Sequence, residues 1–94
     1  SAEALSHAVG DQVIRKFADT LREQGRSTDP KARLGGEEFA MVMTDVSLQE
    51  ARSVAERILA AFAAAELATA TGERFRATVS AGIAFGSTGG EPIE

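Results

Sequence analysis

Apolar residues recur along this chain in two distinct rhythms. Val9, Val13, Ile14, Phe17, Ala18 and Leu21 fall at helical spacing, with Asp11, Arg15, Lys16, Asp19 and Arg22 between them. That pattern predicts an amphipathic helix over about 8–24. Gly25 ends it, and Pro30 closes the polar connection Arg26-Ser27-Thr28-Asp29-Pro30. Lys31 to Leu34, then Gly35-Gly36, then Glu38 to Met43 reads as a β-hairpin over about 31–43. Its second arm is almost wholly apolar, as in a strand covered on both faces. Ser47 with Glu50 three residues on is a capping-box signature. Leu48, Ala51, Val54, Ala55, Ile58, Leu59 and Phe62 then give a second helix over about 48–66, with Arg52 and Glu56 spaced to pair. Thr71-Gly72 is a turn. The rhythm changes to strict alternation at Phe75, Ala77, Val79, Ala81, Ile83 and Phe85, which predicts a strand over about 74–85. Helix, hairpin, helix, strand is the order of an α/β (α+β) sandwich: a mainly antiparallel sheet with helices packed on it.

Composition narrows the class. Ninety-four residues allow one small domain, and an apolar fraction of 44% is enough for a core. The chain has no Cys, so a disulfide framework and a thiolate metal site are both excluded, which fits a cytoplasmic protein. No apolar run reaches the ~20 residues of a membrane span. The net charge of −4, from 10 basic and 14 acidic residues, argues against DNA or RNA as a partner. It leaves room for a single nucleotide, which needs only local positive charge or a metal.

The chemistry concentrates at Arg33-Leu34-Gly35-Gly36-Glu37-Glu38-Phe39. Paired glycines expose backbone that a phosphate or a base can approach. Paired carboxylates at one bend repel each other unless a cation or ligand lies between them. The plain alternative is an acidic hairpin turn. Arg26 and Asp29 could equally form a local ion pair in a solvated loop. Asp11 could be a first-turn helix carboxylate favoured by the macrodipole. His7, the single histidine, reads as structural.

Four motifs in order carry a family resemblance: Ser6-His7-Ala8-Val9-Gly10-Asp11, Arg26-Ser27-Thr28-Asp29, Gly35-Gly36-Glu37-Glu38-Phe39, and Thr78-Val79-Ser80-Ala81-Gly82-Ile83-Ala84. Together they resemble the GGDEF family of bacterial diguanylate cyclases from about His7 to Gly86. The resemblance implies a cyclase-palm fold, related to the ferredoxin-like sandwich, that condenses two GTP into cyclic di-GMP as a homodimer with Mg²⁺ (or Mn²⁺). It implies catalytic roles for Glu37 and Glu38, with Glu37 also a metal ligand. It further implies substrate contacts at Gly35, Gly36 and Asp11, and an inhibitory product site at Arg26, Asp29 and Arg57.

The same comparison marks departures. Ser6 replaces the first glycine of the family's Gly-His-x-x-Gly-Asp segment. The family's first strand, with its metal-sharing Asp, is not present, and its guanine-reading Asn falls at Ala2 and the next Asp at Glu3. The C-terminal helix with its phosphate-binding Lys and Arg is also missing. The chain therefore reads as a GGDEF domain truncated at both ends, carrying about half an active site and inactive alone, with an unpaired sheet edge at 39–43 or 75–85. Two other readings stay open: a catalytically inactive module that binds cyclic di-GMP through Arg26 and Asp29, and a remnant that only dimerises or relays a signal.

Overall fold

The computed structural model describes the backbone of residues 2–84 and the side chains of residues 8–84. Helix α1 spans Ala2–Gln24. It begins earlier than the apolar spacing predicts, because residues such as Ala2, Glu3, Ala4 and Leu5 are strong helix formers even where no apolar stripe requires them. Leu21 is buried on its inner face, and the equally buried Thr20 satisfies its hydroxyl by donating to the Lys16 carbonyl at 2.8 Å.

Gly25 ends the helix for a packing reason. A Cβ there would stand 2.7 Å from Met41 Sδ, 2.8 Å from the Leu21 carbonyl oxygen and 2.9 Å from Lys31 Cε. The missing side chain lets the hairpin pass tightly beside the end of α1. Strand β1 (Lys31–Gly35) pairs antiparallel with β2 (Glu38–Met41), in the register Lys31↔Met41, Ala32↔Ala40, Arg33↔Phe39 and Gly35↔Glu38. The shift between Arg33 and Gly35 leaves Leu34 as the extra residue of a β-bulge. The hydrogen bond from Val42 N to the Pro30 carbonyl, 2.9 Å, extends the pairing one step past the ladder. Among the described residues β2 pairs with β1 alone. Its apolar side chains are consequently half-buried, not covered on both faces, and Val42 is 55% exposed.

Asp45 takes a left-handed φ of 57°, a conformation Asp tolerates, and turns the chain into helix α2 (Leu48–Ala64). The capping box forms: Ser47 Oγ accepts from Glu50 N at 3.0 Å, and Glu50 Oε1 accepts from Ser47 N at 3.4 Å. Arg52 and Glu56 form no ion pair among the described residues. Both are exposed, where such a pair gains little. Ala51, Ile58 and Phe62 face inward with Leu21 and Leu67. Phe17 joins the elements, meeting Phe39 edge-on at 5.1 Å and Phe62 at 5.2 Å.

The end of the chain departs most from the alternating pattern. Strand β3 (Leu67–Ala68) pairs antiparallel with β4 (Arg74–Phe75) around the turn at Thr71-Gly72. Residues 76–84 carry no regular secondary structure, and Phe85 lies outside the described residues. Alternation reports which side chains share a face; a ladder needs a neighbouring backbone as well. The result is an incomplete α+β fold with two helices and two small antiparallel sheets among the described residues.

Candidate functional site

The hairpin runs back along α1. Its open end lies against Gly25, through Lys31 and Met41, and Phe39 lies farther back against Phe17. The bend that joins the strands therefore points toward the N-terminal half of α1. Five residues of β1 separate this bend from the Arg26–Asp29 loop, about 15 Å at strand rise. The two candidate sites occupy opposite ends of one hairpin.

At the bend, Gly36 has φ +36°, a left-handed conformation that favours glycine. A Cβ added at Gly35 or Gly36 would meet nothing within 4 Å. Packing does not account for the glycines, and the surface above them is open. Glu37 and Glu38 are exposed, and neither forms an ion pair among the described residues. Arg33 donates to the Gly36 carbonyl through Nε (3.0 Å) and Nη2 (2.7 Å).

Asp11 is exposed on α1, toward the same end of the molecule as the bend. Because α1 starts at Ala2, Asp11 lies in its third turn. The macrodipole reading fails at that depth, since the effect fades within the first turn. His7 and Ser6 lie within α1, and their side chains fall outside the described residues.

At the other end the structure brings Arg26 and Asp29 together. Arg26 Nε donates to both Asp29 carboxylate oxygens at 3.0 and 2.9 Å, and Nη2 donates to Oδ1 at 2.7 Å. Nη2 also reaches the Thr44 carbonyl at 2.9 Å, tying the loop to the exit of the hairpin. The Asp29 side chain is only 1% exposed while that of Arg26 is 41% exposed. Arg57 donates to the Gln24 carbonyl at 2.7 Å, neutralising the end of α1 two residues before Arg26. Lys31 belongs to none of the motifs in the sequence. Its Nζ donates to the carbonyls of Arg26 (2.6 Å) and Asp29 (3.0 Å), binding the loop from below. Its place directly after Pro30 was the available signal. Arg26, Lys31 and Arg57 thus converge on this loop around the buried Asp29 carboxylate, with Asp45 and Glu50 also close enough to act on Arg26.

The hydrogen bonds from Arg26 hold the Asp29 carboxyl below the usual carboxylate range, against the opposing pull of burial. The sign follows from linkage. A carboxyl whose folded pKa is depressed stabilises the fold above its unfolded value, about 4, and loses that contribution as pH falls through the folded value. Asp29→Asn is therefore expected to lower stability by a constant amount above about pH 5, with the gap to the parent closing below about pH 4. Denaturant titrations from pH 7 to pH 3 measure this; a gap that persists unchanged at low pH would show that the charge contributes nothing.

Between α1 and the hairpin lies a groove of about 530 Å³, floored by Ile14, Ala18 and Phe39 and edged by Arg15 and Arg33. Among the described residues there is no cluster of three or more His, Cys, Asp or Glu side chains placed to hold a metal. None of the described helices is long and apolar enough to cross a membrane.

The model of the family described as "Diguanylate cyclase, GGDEF domain" matches residues 2–94. The chain is 42% identical over 91 residues to the diguanylate cyclase DgcP of Pseudomonas aeruginosa, covering 95% of this chain and 13% of that protein. It is 37% identical over 90 residues to the response regulator PleD of Caulobacter vibrioides, covering 95% of this chain and 19% of that one. The uncharacterized protein YhcK of Bacillus subtilis is 40% identical over 82 residues, 87% of this chain and 23% of YhcK. The chain thus spans less than a quarter of each of these relatives. A family match along nearly the whole chain, on a fold that presents the paired glycines and acids at an open bend, leads to one conclusion: the chain belongs to the GGDEF domain family of diguanylate cyclases.

Proposed function

We propose that this chain is the signature-bearing portion of a diguanylate cyclase, which condenses two GTP into cyclic di-GMP and pyrophosphate. The observation that carries the reading is the open bend: two glycines that nothing crowds, followed by two exposed carboxylates without an ion-pair partner among the described residues. In this reading Gly35 and Gly36 let the nucleotide lie against the backbone, and Asp11 accepts hydrogen bonds from the guanine edge. The 3′-hydroxyl of one GTP gives up its proton to solvent, and its oxygen bonds to the α-phosphorus of the other as the bond to the pyrophosphate oxygen breaks, so that each of the two attacks releases one pyrophosphate. The second, reciprocal attack closes the ring. Each domain holds one GTP, so two copies face each other, in the cytoplasm where GTP is available.

The donor set at the bend suits a hard cation. Glu37 and Glu38 offer carboxylate oxygens, and Mg²⁺ commonly takes one or two carboxylates, with waters and substrate phosphates filling its remaining positions. Glu37 would hold the ion, with Glu38 supporting the ion or the attacking hydroxyl. Bound Mg²⁺ or Mn²⁺ supplies neutralisation of phosphate charge and activation of the hydroxyl. The test is the full-length protein with GTP and Mg²⁺: cyclic di-GMP is the expected product, and its absence would overturn the enzymatic reading.

The Arg26–Asp29 loop, with Arg57 beside it, favours a second reading, a product-binding module with or without turnover. Arg26, Asp29 and Arg57 would grip the guanine and phosphates of cyclic di-GMP, with the Arg26 fork giving up part of its hold on Asp29 or Thr44. Arg26→Ala is expected to weaken cyclic di-GMP binding by about tenfold or more, the scale of a lost charge-assisted fork. Calorimetry on the full-length protein measures this, and equal affinity would remove the loop from consideration.

A further inference from the structure

Nothing in the proposed chemistry uses Arg33, yet its guanidinium is the side chain that closes the bend. Two of its nitrogens converge on one acceptor, the Gly36 carbonyl, at 3.0 and 2.7 Å. Beyond the Gly35↔Glu38 pairing that flanks it, little else among the described residues holds that peptide. The spaces beside Gly35 and Gly36 are open, Leu34 in the bulge is 66% exposed, and Glu37 and Glu38 bond to no other side chain among the described residues. Adjacent glycines carry the largest backbone freedom of any pair, so an unclasped bend would sample many conformers. Arg33 itself is well placed to act as an anchor. It sits in β1 opposite Phe39, whose ring packs on Phe17, so its backbone belongs to the ordered part of the hairpin.

We infer that Arg33 is a positioning residue for the signature acids. Its fork fixes the Gly36 peptide plane, and the next two residues, Glu37 and Glu38, take their direction from that plane. The planar guanidinium sets both donor directions at once. A lysine would offer a single point of attachment on a flexible stem and could not reproduce the constraint. The consequence for turnover rests on the cyclase reading above; the clasp itself does not.

The experiment has two arms, both on the full-length protein. The first follows hydrogen exchange at the Glu37 and Glu38 amides without nucleotide. Arg33→Ala is expected to speed exchange there about fivefold, the scale of a net intramolecular hydrogen bond, and Arg33→Lys is expected to recover less than half of the protection. Unchanged exchange in Arg33→Ala would overturn the inference. The second arm measures GTP kinetics. A positioning role lowers kcat about tenfold and leaves KM within about threefold. A raised KM fully rescued by Arg33→Lys, with exchange unaltered, would assign Arg33 to a phosphate and overturn the clasp. If the parent makes no cyclic di-GMP, the cyclase reading falls while the exchange arm still decides the role of Arg33.

Discussion

Glu38→Gln in the full-length protein is expected to lower cyclic di-GMP formation by about a hundredfold or more, the scale of losing a carboxylate that holds a metal or moves a proton. The change is nearly isosteric and removes one charge. Because Glu38 is exposed and forms no ion pair among the described residues, the unfolding free energy is expected to move by less than about 0.5 kcal/mol. The contrast matters more than either number. Most substitutions that abolish activity in a small domain do so by unfolding it; this one is expected to spare the fold. Assaying product by chromatography beside a denaturant titration separates the two. Retained turnover would remove Glu38 from the chemistry.

The largest stability effect is expected at the opposite kind of position. Phe62 is 2% exposed and meets Phe17 edge-on, and Phe17 in turn meets Phe39 of the hairpin. Phe62→Ala would open a cavity at the seam of α1 and α2, and substitutions of this type cost about 3–5 kcal/mol. That approaches the whole stability of a small domain, about 5–15 kcal/mol. The variant is expected to show a large drop in denaturant midpoint with an unchanged slope. A loss below about 1 kcal/mol would mean that the seam closes over the gap.

Both positions were legible in the sequence, for different reasons. Leu21, Ile58 and Phe62, buried, and Phe17, half-buried, fall at helical spacing because burial selects one face of a helix. The paired glycines and acids were legible because the combination is chemically odd for a turn. What stayed hidden depends on contacts between distant parts of the chain. The Arg26 bond to Thr44 spans eighteen positions, and no local pattern encodes it. Lys31 acts through its reach toward two carbonyls, which charge alone does not announce. The alternating stretch 76–84 advertises a face, yet no strand pairs with it among the described residues. Strand β3, two residues long, is too short to have a rhythm.

The crowding at Gly25 has a mechanical consequence. A methyl group there would press on the Leu21 carbonyl oxygen at 2.8 Å, a backbone atom that cannot swing aside, and on the ends of the Met41 and Lys31 side chains at the root of the hairpin. The acids ride at the tip of that hairpin, so the root serves as a fulcrum and the strands as a lever arm. A displacement at that root is carried along the paired strands to the bend. On the cyclase reading proposed above, a substitution at Gly25 is expected to lower turnover without touching the nucleotide.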